Sequence, residues 1–196
     1  MIRCRLPFRL ASYVSATLLA FVSAISCGSN SNPSNGVSQS QSVARVSTID
    51  ASWPQLYTDL QSLKSASDAV VSGKVSKAHA TVRSGKPGYP TTDYEFTVSK
   101  VVWNSSGTDI TSPVLLHQTG GVLDGTQYAV DDDPNFTIGE QDVLFLHEYT
   151  SGHFYVVGGP TGRFRVTDGM VSPMNDEGIQ LPRTALDDFY TQIAQA

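Results

Sequence analysis

The stretch DVLFLHEY, residues 142–149, is apolar on both of its alternating faces. Successive side chains of an extended chain point to opposite sides, so a strand of this kind has no face to give to water. It has to lie inside a sheet that is covered on both sides. The flanking sequence supplies its neighbours. TSG closes a hairpin to HFYVVGG, and GRFRV alternates, with Phe164 and Val166 inward and Arg163 and Arg165 outward. Asp168-Gly169 is the dipeptide of a tight two-residue hairpin turn.

The same period runs upstream. AVVSGKVSKAHATV, 69–82, reads as a long strand with Val71, Gly73 and Val75 on one face. SGKPGYP, 84–90, is a turn by composition. In TTDYEFTVSKVVWN, 91–104, Tyr94, Phe96 and Val98 alternate with polar residues, and the apolar phase then jumps to Val101 and Trp103. A step of three implies one extra residue, which predicts a β-bulge near Ser99-Lys100. PVLLHQ, 113–118, is a short strand, and residues 119–140 read as loop. MVSPM and GIQLP are weaker edge strands. Helices bracket the strands. Ser52-Trp53-Pro54-Gln55 predicts a capped start for a helix ending near Ser65, with Leu56, Tyr57, Leu60 and Leu63 on one face. Thr184 and Asp187 predict a cap for a closing helix that carries Leu186, Phe189, Tyr190 and Ile193. Many short strands joined by turns predict a mainly β fold: a small antiparallel barrel of the OB type with an N-terminal and a C-terminal helix.

The N-terminal end has a different character. Arg3, Arg5 and Arg9 precede an apolar run that ends in small residues, the layout of a secretory signal peptide over 1–26. Ala24-Ile25-Ser26 suits ordinary signal peptidase, and Ala24-Ile25-Ser26-Cys27 is similar to the bacterial lipobox, with Ala24 where leucine is usual. The second reading makes Cys27 the lipidated first residue. GSNSNPSNGVSQSQS, 28–42, fits such an anchor, because it has no apolar residue but Val37 and cannot build a core. The expected organisation is a lipid-anchored disordered tether over 27–47, with a reach of roughly 25 Å, and a single β-rich domain over 48–196. The chain has two cysteines, and Cys4 leaves with the signal, so acylation also removes a thiol that has no partner.

Charge narrows the partners. The chain carries 13 basic and 18 acidic residues, and loss of the three signal arginines leaves 10 against 18. That balance argues against nucleic acid and against electrostatic adhesion to anionic lipid.

The succession AVVSGKV, YEFTVSKVVW, HQTGG, FTIGEQDVLFL and YVVGGPTGRFRVTDG resembles an uncharacterised class of exported bacterial lipoprotein domains. Their shape is similar to the OB barrel of netrin-like domains and tissue metalloproteinase inhibitors. The resemblance covers roughly residues 66–174 and implies a fold. It carries over no catalytic residue. The chain lacks the disulfide-bonded N-terminal cysteine with which those inhibitors grip a metal, so that kind of inhibition is not implied.

Chemistry is sparse. There is no G-x-S-x-G elbow, H-E-x-x-H or H-x-H. No spacing singles out a pair among His79, His117, His147 and His153, and His117 and His147 read as sheet residues. Asp131, Asp133, Asn135 and Asp142 have the 1, 3, 5, 12 spacing of a calcium loop. Phe136 stands where such a loop needs glycine, and a strand follows instead of a helix, so an Asp-rich turn is the alternative. Arg163 and Arg165, with Arg183, suit either an anion site or cross-strand acids such as Glu95. Trp53, Tyr89, Trp103 and Tyr128 offer a glycan or protein surface, or cover the ends of the barrel. The expected function is a non-catalytic, lipid-tethered binding module of the cell envelope that meets a protein or polymer through 119–140. An exported hydrolase built from separated acids and a histidine, and a structural envelope protein, are the alternatives.

Overall fold

The two apolar faces of DVLFLHEY meet two different cores. The computed structural model describes residues 45–196, apart from Ser52, Lys86, Pro87 and Ser106. The expected signal peptide, Cys27, most of the tether and the Ser52 cap lie outside the described residues. The strands are β1 (Arg45–Ile49), β2 (Ala69–Ala78), β3 (Val82–Ser84), β4 (Tyr89–Asn104), β5 (Val114–Leu123), β6 (Thr126–Val130), β7 (Gln141–Thr150), β8 (His153–Val156), β9 (Arg163–Thr167), β10 (Met170–Pro173) and β11 (Thr184–Ala185). Helices α1 (Leu60–Ser65) and α2 (Leu186–Gln195) and a 3-10 turn (Gly159–Gly162) join them.

The fold is mainly β, with one sheet of mixed strands in the order β1-β6-β5-β4-β2-β7-β9-β10-β11, and β3 beside β4. β8 lies against both β5 and β7. The pairings β2–β4–β5–β8–β7–β2 therefore return to their starting point. Every pairing in that circuit is antiparallel except β5 with β8. β1 also pairs parallel, with β6.

One core draws on all five strands of the circuit: Val71 and Val75, Tyr94 and Phe96, Leu116, Leu144 and Leu146, and Phe154. The other lies between β2, β7, β9 and the helices, and contains Val70, Val143, Phe145, Phe164, Phe189 and Ile193. β7 thus sends Leu144 and Leu146 one way and Val143 and Phe145 the other, which is why its sequence shows no polar side. Phe164 ties the second core together, with ring centroids 5.7 Å from Phe145 and 4.8 Å from Phe189. Lys64 Nζ donates to the Ile193 carbonyl at 2.9 Å and joins the two helices.

The expected bulge is present. Ser72 pairs with Lys100 and Gly73 with Val98, which leaves Ser99 as the extra residue, its hydroxyl donating to the Ser72 carbonyl at 3.0 Å. Other expectations shift. The first helix begins at Leu60, capped by Asp59, which accepts from the Ser62 amide at 2.8 Å. The chain before it is used for packing: Trp53 and Tyr57 lie against Gly159 and Gly158, where any Cβ would strike their rings. Tertiary contact outweighs local propensity there. Thr184 does not cap α2, because it belongs to β11 and pairs with Val171. Residues 119–140 are not all loop. β5 runs to Leu123 and turns through Asp124-Gly125, both with positive φ, into β6. Residues 45–47, expected in the tether, belong to β1.

Candidate functional site

The residues of the expected calcium loop divide. Asp142 is fully buried, where its carboxylate accepts from Arg163 Nε at 3.2 Å and Arg165 Nε at 2.8 Å. Asp133 lies 3.8 Å from Arg163 Nη1, and Glu140 receives both arginines through their Nη2 atoms. Asp131 is exposed, and Asn135 turns to donate to the Tyr128 carbonyl at 2.7 Å. The cation between Asp133 and Asp142 is therefore the Arg163 guanidinium. Among the described residues no group of three or more His, Cys, Asp or Glu converges as metal ligands.

Arg163 corrects the outward reading of GRFRV. It is 1 % exposed, and its guanidinium lies 3.9 Å from the centroid of the Phe136 ring and donates to the Pro134 carbonyl at 2.7 Å. Glu95 is not its partner, since Glu95 takes Lys77 and His79 at 2.9 and 3.0 Å. Burial pushes the Asp142 carboxyl up to about 6 against the pull of Arg163. Burial acts the same way on Glu140, but Arg163 and Arg165 outweigh it and hold that group below its ordinary value. Burial also raises Asp133, against the Gln118 hydrogen bond and Arg163. This cluster is filled by its own charges and locks the turn 131–140 onto the sheet.

A second arrangement lies on the outer face of the circuit. Asp93 and His117 are cross-strand partners on β4 and β5, with Oδ1 and Nδ1 2.7 Å apart. His147 pairs across β7 and β8 with Tyr155, and its Nδ1 is 2.9 Å from Asp68 Oδ2. Between the two histidines stand Tyr149 and Tyr155. Ring centroids are separated by 5.9 Å from His117 to Tyr149, 6.3 Å from Tyr149 to Tyr155 and 5.0 Å from Tyr155 to His147. His153 adds a fourth neighbour, 6.1 Å from Tyr149. The result is a belt, Asp93–His117–Tyr149–Tyr155–His147–Asp68, that crosses strands far apart in sequence. Tyr149 and Tyr155 are 49 % and 43 % exposed. Burial, then the Asp93 charge, moves the Tyr149 hydroxyl above its ordinary range, so it keeps its proton near neutrality.

A groove of about 520 Å³ opens beside the belt and shares His117 and Tyr155 with it. That volume is in the range of small-ligand clefts. Trp53 and Tyr89 line it with Gln118 and Asp133, and none of its lining residues is lysine or arginine. Ile49, the last residue of β1, forms one wall with Asp50, Ala51, Trp53 and Pro54. Gly158 and Gly159, at φ of 67° and 54°, let the backbone pass under Tyr57 and Trp53.

Of the four aromatics singled out in the sequence, Trp53 and Tyr89 reach this groove. Trp103 packs beside the helices, with Lys64 Nζ 5.6 Å from its ring centroid, and Tyr128 lies under Arg83. Sequence reading missed Tyr149 and Tyr155. The signal was present, since His147 and Tyr149 alternate outward before the turn and His153 and Tyr155 after it. No protein-family model matches this chain, and no curated protein matches it in sequence.

Proposed function

We propose that this chain is an exported, lipid-tethered binding module of the cell envelope, anchored through Cys27 and without catalytic activity, whose ligand lies along the belt and its groove. The observation that carries the reading is the pair of exposed tyrosine rings, Tyr149 and Tyr155, set between two half-buried histidine–aspartate pairs on adjoining strands and beside an open groove. Rigid aromatic surface with polar ends holds a ligand at small entropic cost. The lipobox-like Ala24-Ile25-Ser26-Cys27 and the Ser- and Asn-rich segment after it support the anchor.

The fold belongs to the same proposal. We read the circuit β2–β4–β5–β8–β7 as a small OB-like barrel, supported by its five strands and its single parallel contact. In OB barrels the face of the second and third strands, with the loop between the fourth and fifth, takes the ligand. Asp93 and His117 stand on the second and third strands of the circuit, and Tyr149 and His153 flank the turn between its last two.

The test is cross-linking on intact cells with the wild-type chain and with a Trp53→Ala/Tyr155→Ala chain of equal abundance. Partners held by the wild type and lost by the double variant support the reading, and identical capture refutes it. The 2.7 Å contact of His117 with Asp93 favours one second reading, the oriented base of a hydrolase. In that case Asp93→Asn abolishes turnover of an envelope ester or glycoside, whereas in a binding module it changes capture only modestly.

A further inference from the structure

We infer that the occupant of the belt is an uncharged glycan chain, stacked on Tyr149 and Tyr155 and hydrogen-bonded at its two ends by the histidine–aspartate pairs. The inference rests on the binding-module reading above and names the ligand class for the same face.

Three observations select this chemistry. The first is repeat length. Successive rings from His117 through Tyr149 and Tyr155 to His147 are 5.0–6.3 Å apart. That is about the span of one pyranose ring, so Tyr149 and Tyr155, inclined 31° to each other, can each meet a sugar unit, while the imidazoles, tilted 59° and 50° from their tyrosine neighbours, stand out of that platform. The C–H face of a sugar is apolar while its rim is ringed with hydroxyls, which matches an aromatic face bounded by polar groups.

The second is hydrogen-bonding capacity. Each carboxylate is held by an imidazole, Asp93 Oδ1 by His117 and Asp68 Oδ2 by His147. Asp68 Oδ2 also receives the Glu148 amide at 2.9 Å. The remaining oxygen of each carboxylate has no protein donor among the described residues and is a ready acceptor for a hydroxyl. The tyrosine hydroxyls add donors in the middle of the belt.

The third is charge. Neither the belt nor the groove lining contains lysine or arginine, and Asp50, Asp68 and Asp93 lie around the face. A nucleic acid, a phosphate-linked polymer or a uronic acid chain would meet carboxylates with no lysine or arginine on the face to bind it. A permanent cation fits less well, because both carboxylates at the ends of the belt already face a ring nitrogen.

The experiment uses the mature full-length chain and a panel of neutral hexasaccharides built from glucose, N-acetylglucosamine, mannose or galactose, with a polyphosphate chain and a quaternary ammonium salt as controls. Calorimetry and tyrosine fluorescence should report binding of at least one hexasaccharide, weaker for the matching disaccharide and weakened about tenfold by Tyr149→Ala. Tyr149→Phe keeps the ring and should keep most of the affinity, which separates lost stacking from a damaged fold. Failure of every hexasaccharide to bind, or binding unchanged by Tyr149→Ala and Tyr155→Ala, overturns the glycan assignment, as does stronger binding of either control. If the hexasaccharides fail while cross-linked capture still depends on Trp53 and Tyr155, only the ligand class falls. If both fail, the binding-module reading falls with it.

Discussion

Replacing Arg163 by methionine keeps most of the side-chain volume and removes one charge from a place water does not reach. The side chain is 1 % exposed and serves Asp142, Glu140, Asp133 and the Pro134 carbonyl together. Without it Asp142 and Glu140 share Arg165 alone, and Asp133 loses the cation beside it. The Pro134 carbonyl keeps the Gln118 amide at 3.2 Å, so the backbone loss is partial. Removing one partner of a buried ion pair costs about 3–5 kcal/mol. That is a large share of the roughly 5–15 kcal/mol that stabilises a domain, and on the order of 10 °C in Tm for this size. The loss should also depend on pH, and the sign follows from linkage. Carboxylates stranded by Arg163→Met hold their protons more tightly folded than unfolded. A folded value above the unfolded one contributes stability at low pH that is lost as pH rises. The deficit should therefore be larger near about pH 8 than near about pH 5. Urea unfolding of wild type and variant at both values measures it. A deficit under about 1 kcal/mol, or one equal at both pH values, would show that Arg163 contributes packing and not charge.

Asp142 ionises at about 6 in the folded chain against an ordinary 3.8, so its contribution is present below about 4 and disappears as pH passes through about 6. Asp142→Asn should flatten that part of the stability profile, and a slope that survives would mean that another group carries it. A Cβ at Gly73 would run into the Thr97 carbonyl and the Phe96 ring, so Gly73→Ala should cost about 1–3 kcal/mol by urea midpoint, and no cost would mean that the β2–β4 bulge yields freely. Because Arg163 already sits between Asp133 and Asp142, calcium at about 1 mM should leave Tm unchanged, and a rise of more than about 2 °C would make 131–142 a metal loop after all.

What could be read from sequence was what period two encodes. Tyr94 and Phe96, Phe164 and Val166, and both faces of DVLFL went to the cores that their alternation predicted, and the phase jump after Val98 marked a real bulge at Ser99. What failed depended on long-range partners. Arg163 looked like a surface residue because its sequence neighbours do not reveal Glu140 and Asp142, more than twenty residues earlier, as its buried counter-charges. Asp124-Gly125 was a legible turn, hidden because the strand was ended at Gln118 and 119–140 read as loop, although β5 continues through Gly120 and Gly121 to Leu123. β1 is short, largely exposed and paired in parallel at the edge of the sheet, so it leaves no amphipathic trace. The belt was illegible as a unit. Each of His117, His147, Tyr149 and Tyr155 is an ordinary outward strand residue, and only the β5–β8 and β7–β8 pairings make them neighbours.

The wall of the groove has a mechanical meaning. Asp50, Ala51, Trp53 and Pro54 come directly after β1, and β1 is held to β6 over five residues at the edge of the sheet. Force applied to the chain ahead of Arg45 reaches β1 before any other strand. Peeling β1 away would draw Ile49, Asp50 and Trp53 off the groove while the circuit behind them stays whole. A bound ligand that spans both walls would resist that peeling, so its grip would be set by load as well as by concentration.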